Sequence, residues 1–129
     1  MKTKVKKKPT IQKVSKPKES ETPILDLLRV KKRWTKNYMA KTVSGAGVSF
    51  SNPSAVKFCL VGAMYRCYGF GNNGGSKRVK RINNKLLAAL KSLGKGRDAN
   101  GHEIPLTTWN DARTTKHRDI VEVLEKAKV

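Results

Sequence analysis

The 129-residue chain has 29 Lys and Arg against nine Asp and Glu, which gives a formal net charge of +20 at pH 7. The length allows one domain and a tail, and two cysteines are too few for a disulfide scaffold, which favours a reducing, cytoplasmic setting. No segment approaches the roughly 18 apolar residues of a membrane span, and the N-terminus lacks the apolar segment of a secretory signal.

The positive charge is spread along the chain. Residues 1–41 contain 14 Lys and Arg with three acids, and residues 42–129 contain 15 with six. Such an excess makes a compact fold repel itself, and binding to a polyanion relieves that repulsion. A solubilising surface is the alternative, but solubility is reached with less charge and with acidic residues. The composition therefore favours nucleic acid as the partner.

Residues 1–21 are interpreted as a basic arm. They carry eight lysines and two prolines, and their few apolar residues follow neither a helical nor a strand period. Because such a segment buries too little apolar surface to offset its ordering entropy, we expect it to be disordered in isolation and to settle on phosphates. The lysines predicted to contact phosphates are Lys4, Lys6, Lys7 and Lys8. A single compact domain is expected over residues 22–129.

The first folded segment is predicted to be a helix that begins at Thr22-Pro23, a cap followed by proline. Its last turn carries Lys31, Lys32 and Arg33. The turn signal SGAG at 44–47 then predicts a short hairpin between residues 34 and 51.

The second predicted helix starts at Asn52-Pro53 and ends at Gly69. Its apolar positions recur with helical spacing and are Val56, Cys59, Leu60, Ala63, Met64 and Cys67. This segment is expected to be the central core helix. The small residues Gly62 and Ala63 would let another helix approach closely.

The third predicted helix is capped by Ser76 and ends at Gly94. Its buried stripe is expected to be Val79, Ile82, Leu86, Ala89, Leu90 and Leu93. The other faces carry Lys77, Arg78, Lys80, Arg81, Lys85 and Lys91. The glycine-rich loop before it, residues 69–76, lacks the lysine of a P-loop and is interpreted as a connector.

Residues 94–108 are expected to form a loop with a short edge strand in HEIPL. A last helix is predicted from Thr114 or Thr115 to about Lys128. The whole pattern predicts a helix-dominated α+β class with about four helices, one or two short β-hairpins and a disordered basic N-terminal arm.

These landmarks resemble a small, uncharacterised family of phage and bacterial proteins. The family pattern is a tryptophan, then Pro-x-Ala-x-x-aromatic-Cys-x-x-Gly-Ala, and later Trp-Asn-Asp ahead of a final helix. The matching residues are Trp34, Pro53, Ala55, Phe58, Cys59, Gly62, Ala63, Trp109, Asn110 and Asp111. The resemblance covers about residues 24–127 and leaves the basic arm outside. It implies a compact, helix-rich domain of phage or bacterial source, and it implies no activity.

A cysteine enzyme is one alternative function. Its residues would be Cys59 as nucleophile, His102 or His117 as base, and Asn110 or Asp111 as orienting group, in the chain order of papain-like enzymes. On the predicted apolar stripe, almost two turns inside its helix, Cys59 is instead expected to be buried and unactivated. Both histidines are expected to be exposed.

A metal site would combine Cys59 and Cys67 with the histidines. Cysteines eight residues apart on one helix are separated by roughly 12 Å, which is too far for both to bond one zinc ion at about 2.3 Å. We therefore expect no metal and no other cofactor. The segment 109–111 could bind a ligand, but a buried tryptophan followed by capping Asn or Asp side chains is ordinary structure.

The third helix completes the predicted binding surface, because Lys77, Arg81 and Lys85 fall on one helical strip. Lysine contacts to phosphate give affinity without base recognition. The aromatic residues that could stack on unpaired bases, where exposed, are Tyr38, Tyr65, Tyr68 and Phe70. No base-reading module is recognisable, so DNA and RNA both stay open.

The sequence thus predicts non-catalytic, electrostatic binding to nucleic acid or a ribonucleoprotein particle in a phage or bacterial cytoplasm. The residues predicted to make contact are Lys4, Lys6, Lys7, Lys8, Lys31, Lys32, Arg33, Lys77, Arg78, Lys80, Arg81 and Lys85. Two alternatives stay open: a phage effector that binds an acidic host protein, and a hydrolase or transferase that uses Cys59.

Overall fold

The computed structural model describes residues 21–69 and 74–129. Within them the chain forms five α-helices, one 3₁₀ turn and a small antiparallel sheet. The helices are α1 (Pro23–Leu28), α2 (Leu60–Tyr68), α3 (Gly74–Ser92), α4 (Leu106–Asp111) and α5 (His117–Ala127), and the 3₁₀ turn spans Lys31–Arg33. The strands are β1 (Ala40–Lys41), β2 (Gly47–Val48) and β3 (Lys57–Phe58). The predicted helix-dominated α+β class is confirmed. The basic arm, apart from Glu21, lies outside the described residues.

Helix α1 begins at Pro23 as predicted, but it ends at Leu28 rather than continuing to Arg33. Its buried side chains are Ile24, Leu25 and Leu28. Residues 29–33 are all exposed, the apolar Val30 included, so none of them buries a side chain that would anchor a further helical turn. The start of α1 is tied to the C-terminal segment, because the Ile24 amide donates to the carbonyl of the buried Val129 at 2.9 Å.

The predicted hairpin is confirmed, and the sheet has one more strand than expected. Strand β1 pairs antiparallel with β2, Ala40 opposite Val48, and also with β3, Ala40 opposite Phe58. The strand order is β2-β1-β3. Because side chains alternate across a sheet, the row that contains Ala40 and Phe58 is buried on the helices.

The predicted start of the second helix at Asn52-Pro53 is wrong, since α2 begins at Leu60. The Asn52 side chain does cap, but it caps a turn: its Oδ1 accepts from the Ser54 amide at 2.7 Å. Residues 57–58 then pair with β1, which is an interaction the local spacing does not reveal. The predicted end at Gly69 is confirmed, with Gly69 at a positive φ of 84°.

Helix α2 is central, as expected. It packs against α1, α3, α4 and β3, and its residues 60–64 are all buried. The close approach at Gly62 comes from the sheet and not from a helix. A Cβ built on Gly62 would lie 1.9 Å from the Met39 carbonyl oxygen, the residue just before β1. The same carbonyl accepts from the Cys59 amide at 3.2 Å. Only glycine lets the sheet and the first turn of α2 meet at this distance.

The remaining helices differ from the predictions mainly at their ends. Helix α3 begins at Gly74, so Ser76 lies inside it, and the positive φ of Gly94 (70°) terminates it as predicted. The segment 109–111 belongs to α4, and the last helix begins at His117. The edge strand predicted in HEIPL reduces to a single bridge between Arg97 and Glu103.

Replacing Gly62 with Ala is expected to lower the free energy of unfolding by roughly 3 kcal/mol, because the new methyl group collides with backbone. Urea denaturation measures the loss. Gly45→Ala is the control: Gly45 has a positive φ of 92° but nothing within 4 Å of an added Cβ, and backbone strain alone costs about 1–2 kcal/mol. Equal losses for the two variants would contradict the close approach.

Candidate nucleic-acid interface

Helix α3 separates its apolar and basic residues onto opposite faces. Its buried side chains Ile82, Leu86 and Leu90 face the protein, and α3 packs against α5, α2 and α4. The opposite, exposed face carries Lys77, Lys80, Arg81 and Lys85, which we call the α3 strip. At 1.5 Å of rise per residue the strip is roughly 12 Å long. The predicted strip of Lys77, Arg81 and Lys85 is therefore formed, with Lys80 added.

The cations of the α3 strip have no carboxylate neighbour among the described residues. The ion pairs of that part of the chain are Arg29–Glu125, Lys95–Asp119, Lys95–Glu122, Arg97–Glu103 and His102–Asp98. None of them includes a residue of α3. The charge of the strip is thus left to solvent or to a partner of opposite charge.

The sequence explains this lack of ion pairing. Residues 27–97 contain 16 Lys and Arg and no Asp or Glu at all, whereas residues 98–129 contain five Lys and Arg and six acids. Positive and negative charges are therefore segregated along the chain. Counting charges separately over residues 1–41 and 42–129 hides this segregation, because both parts are basic. A count in windows would have found this signal without any structure.

Of the other predicted contacts, the structure places Lys31–Arg33 apart from the strip and Arg78 beside it. Residues Lys31–Arg33 are exposed on the 3₁₀ turn, which packs mainly against α1 and β3, while α3 packs elsewhere. Arg78 lies beside the strip with its guanidinium 5.8 Å from the Tyr68 ring centroid. The four arm lysines, Lys4, Lys6, Lys7 and Lys8, lie outside the described residues.

The aromatic residues named as stacking candidates are not equally accessible. Tyr38 is 53% exposed, and the Lys41 ammonium lies 4.9 Å from its ring centroid. Tyr65 and Tyr68 are half-buried, and Phe70 lies outside the described residues. Among the three tyrosines, which all lie in the described part of the chain, Tyr38 is the most exposed.

Cys59 is the N-cap of α2, which corrects its predicted place deep inside a helix. Its Sγ accepts from the Gly62 amide at 3.2 Å, and the residue is 4% exposed. A helix N-terminus favours a thiolate, but burial outweighs the amide hydrogen bonds and raises the pKa of Cys59 above its usual value. The predicted burial is confirmed, and it is burial that raises the pKa of Cys59. The other reason given for poor activation, a place deep inside the helix, was wrong.

The buried Asn110 shows what the segment 109–111 does in this fold. Its Oδ1 accepts from Trp34 Nε1 at 2.8 Å and from the Leu60 amide at 3.0 Å. Its Nδ2 donates to the Thr35 carbonyl at 3.1 Å and to Asp111 Oδ1 at 2.9 Å. An asparagine amide can accept twice and donate twice. All four capacities are used, so none is left for a ligand.

The two histidines lie in different surroundings. His102 is exposed, with Nδ1 3.7 Å from Asp98 Oδ2. His117 is half-buried, which corrects the prediction: its Nε2 lies 2.7 Å from the Leu28 carbonyl, and its ring centroid lies 6.1 Å from that of Trp34. No hydrogen bond in the described ranges joins Cys59 to either histidine.

The described parts of the chain contain neither a cluster of metal-binding side chains nor a helix that could span a membrane. No three side chains of His, Cys, Asp or Glu cluster there as they would around a metal ion. None of the helices there combines the length and apolar character needed to cross a membrane.

A family model matches residues 23–128 of the chain. The chain belongs to DUF6197, a family of unknown function. The DUF6197 match runs from the first residue of α1 to one residue beyond α5, and it leaves the basic arm outside. The expected membership of an uncharacterised domain family is confirmed. No curated protein and no solved structure matches the chain.

In the DUF6197 domain, replacing Cys59 with Ala is expected to lower the free energy of unfolding by about 1–2 kcal/mol, because the helix cap and a buried side chain are both lost. Cys59→Ser should lose less, since a serine hydroxyl is a favoured capping group. Thermal denaturation with Cys67→Ala as reference measures the difference. A Cys59→Ala protein as stable as the parent would contradict the capping role.

Stability of the DUF6197 domain should fall as the pH rises from about 9 towards 11. Burial raises the pKa of Cys67 from 9.0 to about 11 and also raises that of Cys59. In this window the unfolded chain has released its thiol protons and the folded chain still holds them, so alkali favours unfolding. Urea titrations at several pH values should show a weaker pH dependence for Cys67→Ala. Identical slopes for the parent and Cys67→Ala would contradict the raised pKa.

Proposed function

We propose that the protein binds nucleic acid, or a ribonucleoprotein particle, by electrostatic attraction and without catalysis. The observation that carries the proposal is the α3 strip, four exposed cations on one helix face with no carboxylate neighbour in the described chain. The proposed setting is the bacterial cytoplasm, for a protein of phage or bacterial origin.

The physical basis is the release of counterions. A polyanion such as DNA or RNA holds a layer of condensed cations, and each phosphate that a lysine or arginine neutralises frees one of them. On a helix the backbone that carries the charges is already ordered, so binding has to order only the side chains, which lowers its entropic cost. Residues Lys31–Arg33 and the arm lysines extend the same positive field to further phosphates.

Two further features favour binding over catalysis. The raised pKa of Cys59 leaves little thiolate at neutral pH. The amide of Asn110, which would orient a base in the enzyme alternative, is fully engaged in holding the fold.

Affinity for random-sequence duplex DNA or RNA should fall steeply with salt. For about six phosphate contacts, a plot of log affinity against log salt is expected to have a slope near −5. Replacing Lys77, Arg81 and Lys85 together with Glu should weaken binding at least about tenfold and reduce the slope by roughly three. Fluorescence anisotropy with labelled oligonucleotides measures both quantities.

The matched control reverses three exposed cations away from the strip, Arg113, Lys126 and Lys128. It changes the net charge by the same amount, so a strip-specific effect is separated from a general loss of charge. No binding at 50 mM salt, or equal effects of the two triple variants, would contradict the proposal. Partners captured from host lysate should disappear after nuclease treatment, and one protein that persists would support the effector alternative.

A further inference from the structure

The sheet presents a second basic surface, on the side away from the helices. Lys41 of β1 is directly opposite Gly47 of β2 and Lys57 of β3. Residues directly opposite in antiparallel strands point to the same side, and the neighbouring row, Ala40 and Phe58, is buried. We call the residues Tyr38, Lys41, Gly47 and Lys57 the outer sheet face.

The ring of Tyr38 is held in place on this face although it is largely uncovered. A Cβ built on Gly47 would lie only 2.5 Å from Tyr38 Cδ1, so the ring rests directly on the glycine backbone. The Lys41 ammonium lies 4.9 Å from the ring centroid. With 53% of the residue exposed, an ordered aromatic surface with an adjacent cation faces solvent.

Two lysines directly opposite in paired strands are unfavourable, because like charges repel across a ladder. The pair Lys41 and Lys57 is not offset by an acid close in sequence, since residues 27–97 contain none. Neither lysine is in an ion pair among the described residues. An anionic ligand would remove this repulsion.

An open groove of about 620 Å³ lies along the edge strand β2. It is lined at one end by Tyr38 and Gly47 of the outer sheet face, and beyond that face by Val48, by Phe50 and by Tyr65 of α2. The rings of Phe50 and Tyr65 have centroids 5.4 Å apart. Arg66 holds the Phe50 segment in place by donating to the carbonyls of Phe50 at 2.8 Å and Asn52 at 3.1 Å. The groove therefore has a fixed aromatic wall at each end, and its volume is in the range of small-ligand sites.

We propose that the outer sheet face binds single-stranded nucleic acid, with an unpaired base stacked on Tyr38 in this groove and adjacent phosphates held by Lys41 and Lys57. A single strand combines the two chemistries that the surface offers, an aromatic base and a chain of phosphates. A duplex provides only the phosphates, because its base faces are covered by stacking. The inference rests on the proposed function and adds that part of the ligand is unpaired.

The test compares a labelled 20-nucleotide oligo(dT), a labelled oligo(rU) and a duplex of the same length. Tyr38→Ala is expected to weaken single-strand binding roughly 5-fold to 100-fold, the range of one base–aromatic stack, and to leave duplex binding unchanged. Tyr38→Phe keeps the ring and should restore affinity. Lys57→Ala should reduce the salt slope for single strands by about one. Of oligo(dT) and oligo(rU), the one whose affinity falls more on Tyr38→Ala identifies the preferred sugar.

Val43→Ala is the control, because Val43 is 85% exposed in the turn between β1 and β2 and does not line the groove. If Tyr38→Ala weakens duplex and single strands equally, or neither, the inference fails while the proposed function stands. If the parent protein binds no oligonucleotide at low salt, both fail. A last outcome would show that the face docks a protein and would overturn the inference. In it, the parent but not Tyr38→Ala captures a protein from nuclease-treated lysate, and Tyr38→Ala leaves oligonucleotide binding unaffected.

Discussion

The buried side-chain amide of Asn110 is the interaction on which the arrangement of the other elements depends. From α4 it reaches the segment that follows the 3₁₀ turn, through Trp34 and Thr35, and the first residue of α2. A neighbouring bond continues the network, because Asp111 Oδ1 accepts from the Asn37 amide at 2.8 Å, where Asn37 has a positive φ of 71°. Satisfied polar networks in a low-dielectric interior specify one arrangement, since every alternative leaves a polar group without a partner. Residues distant in sequence are thereby fixed around the start of α2.

The first turn of α2 receives three such constraints at once. Asn110 binds the Leu60 amide, Cys59 Sγ caps the Gly62 amide, and the Met39 carbonyl fits against Gly62. The spacing Cys-x-x-Gly is therefore explained by a cap and a close approach, without any chemistry at the thiol. The same turn connects α2 to the sheet, and α3 packs on α2, so α2 links the sheet to α3.

The elements that could be predicted from sequence are those whose signals are local. Helix α3 was evident because its apolar stripe and its cations alternate with helical period over several turns, and the β1–β2 hairpin because a glycine-rich turn separates its strands. The start of α2 could not be predicted, since Val56 and Cys59 fit helical spacing while residues 57–58 pair with β1. The role of Asn110 was equally hidden, because its partners Leu60 and Trp34 are 50 and 76 residues away in the chain. Of the site, the α3 strip was predictable; the seating of Tyr38 on Gly47 was not.

The segregation of charge has a consequence beyond the contacts themselves. Helices α3 and α5 pack with their apolar sides together, so their polar sides point away from each other. The outward side of α3 is purely cationic, while α5 has Glu122 and Glu125 as well as Arg118 and Lys126 exposed and is close to neutral. The charge of the described chain is therefore distributed unevenly between these two helix surfaces, in addition to being positive overall. The electric field of a highly charged surface orients a molecule with uneven charge before contact. Productive collisions are then more frequent than random orientation would allow.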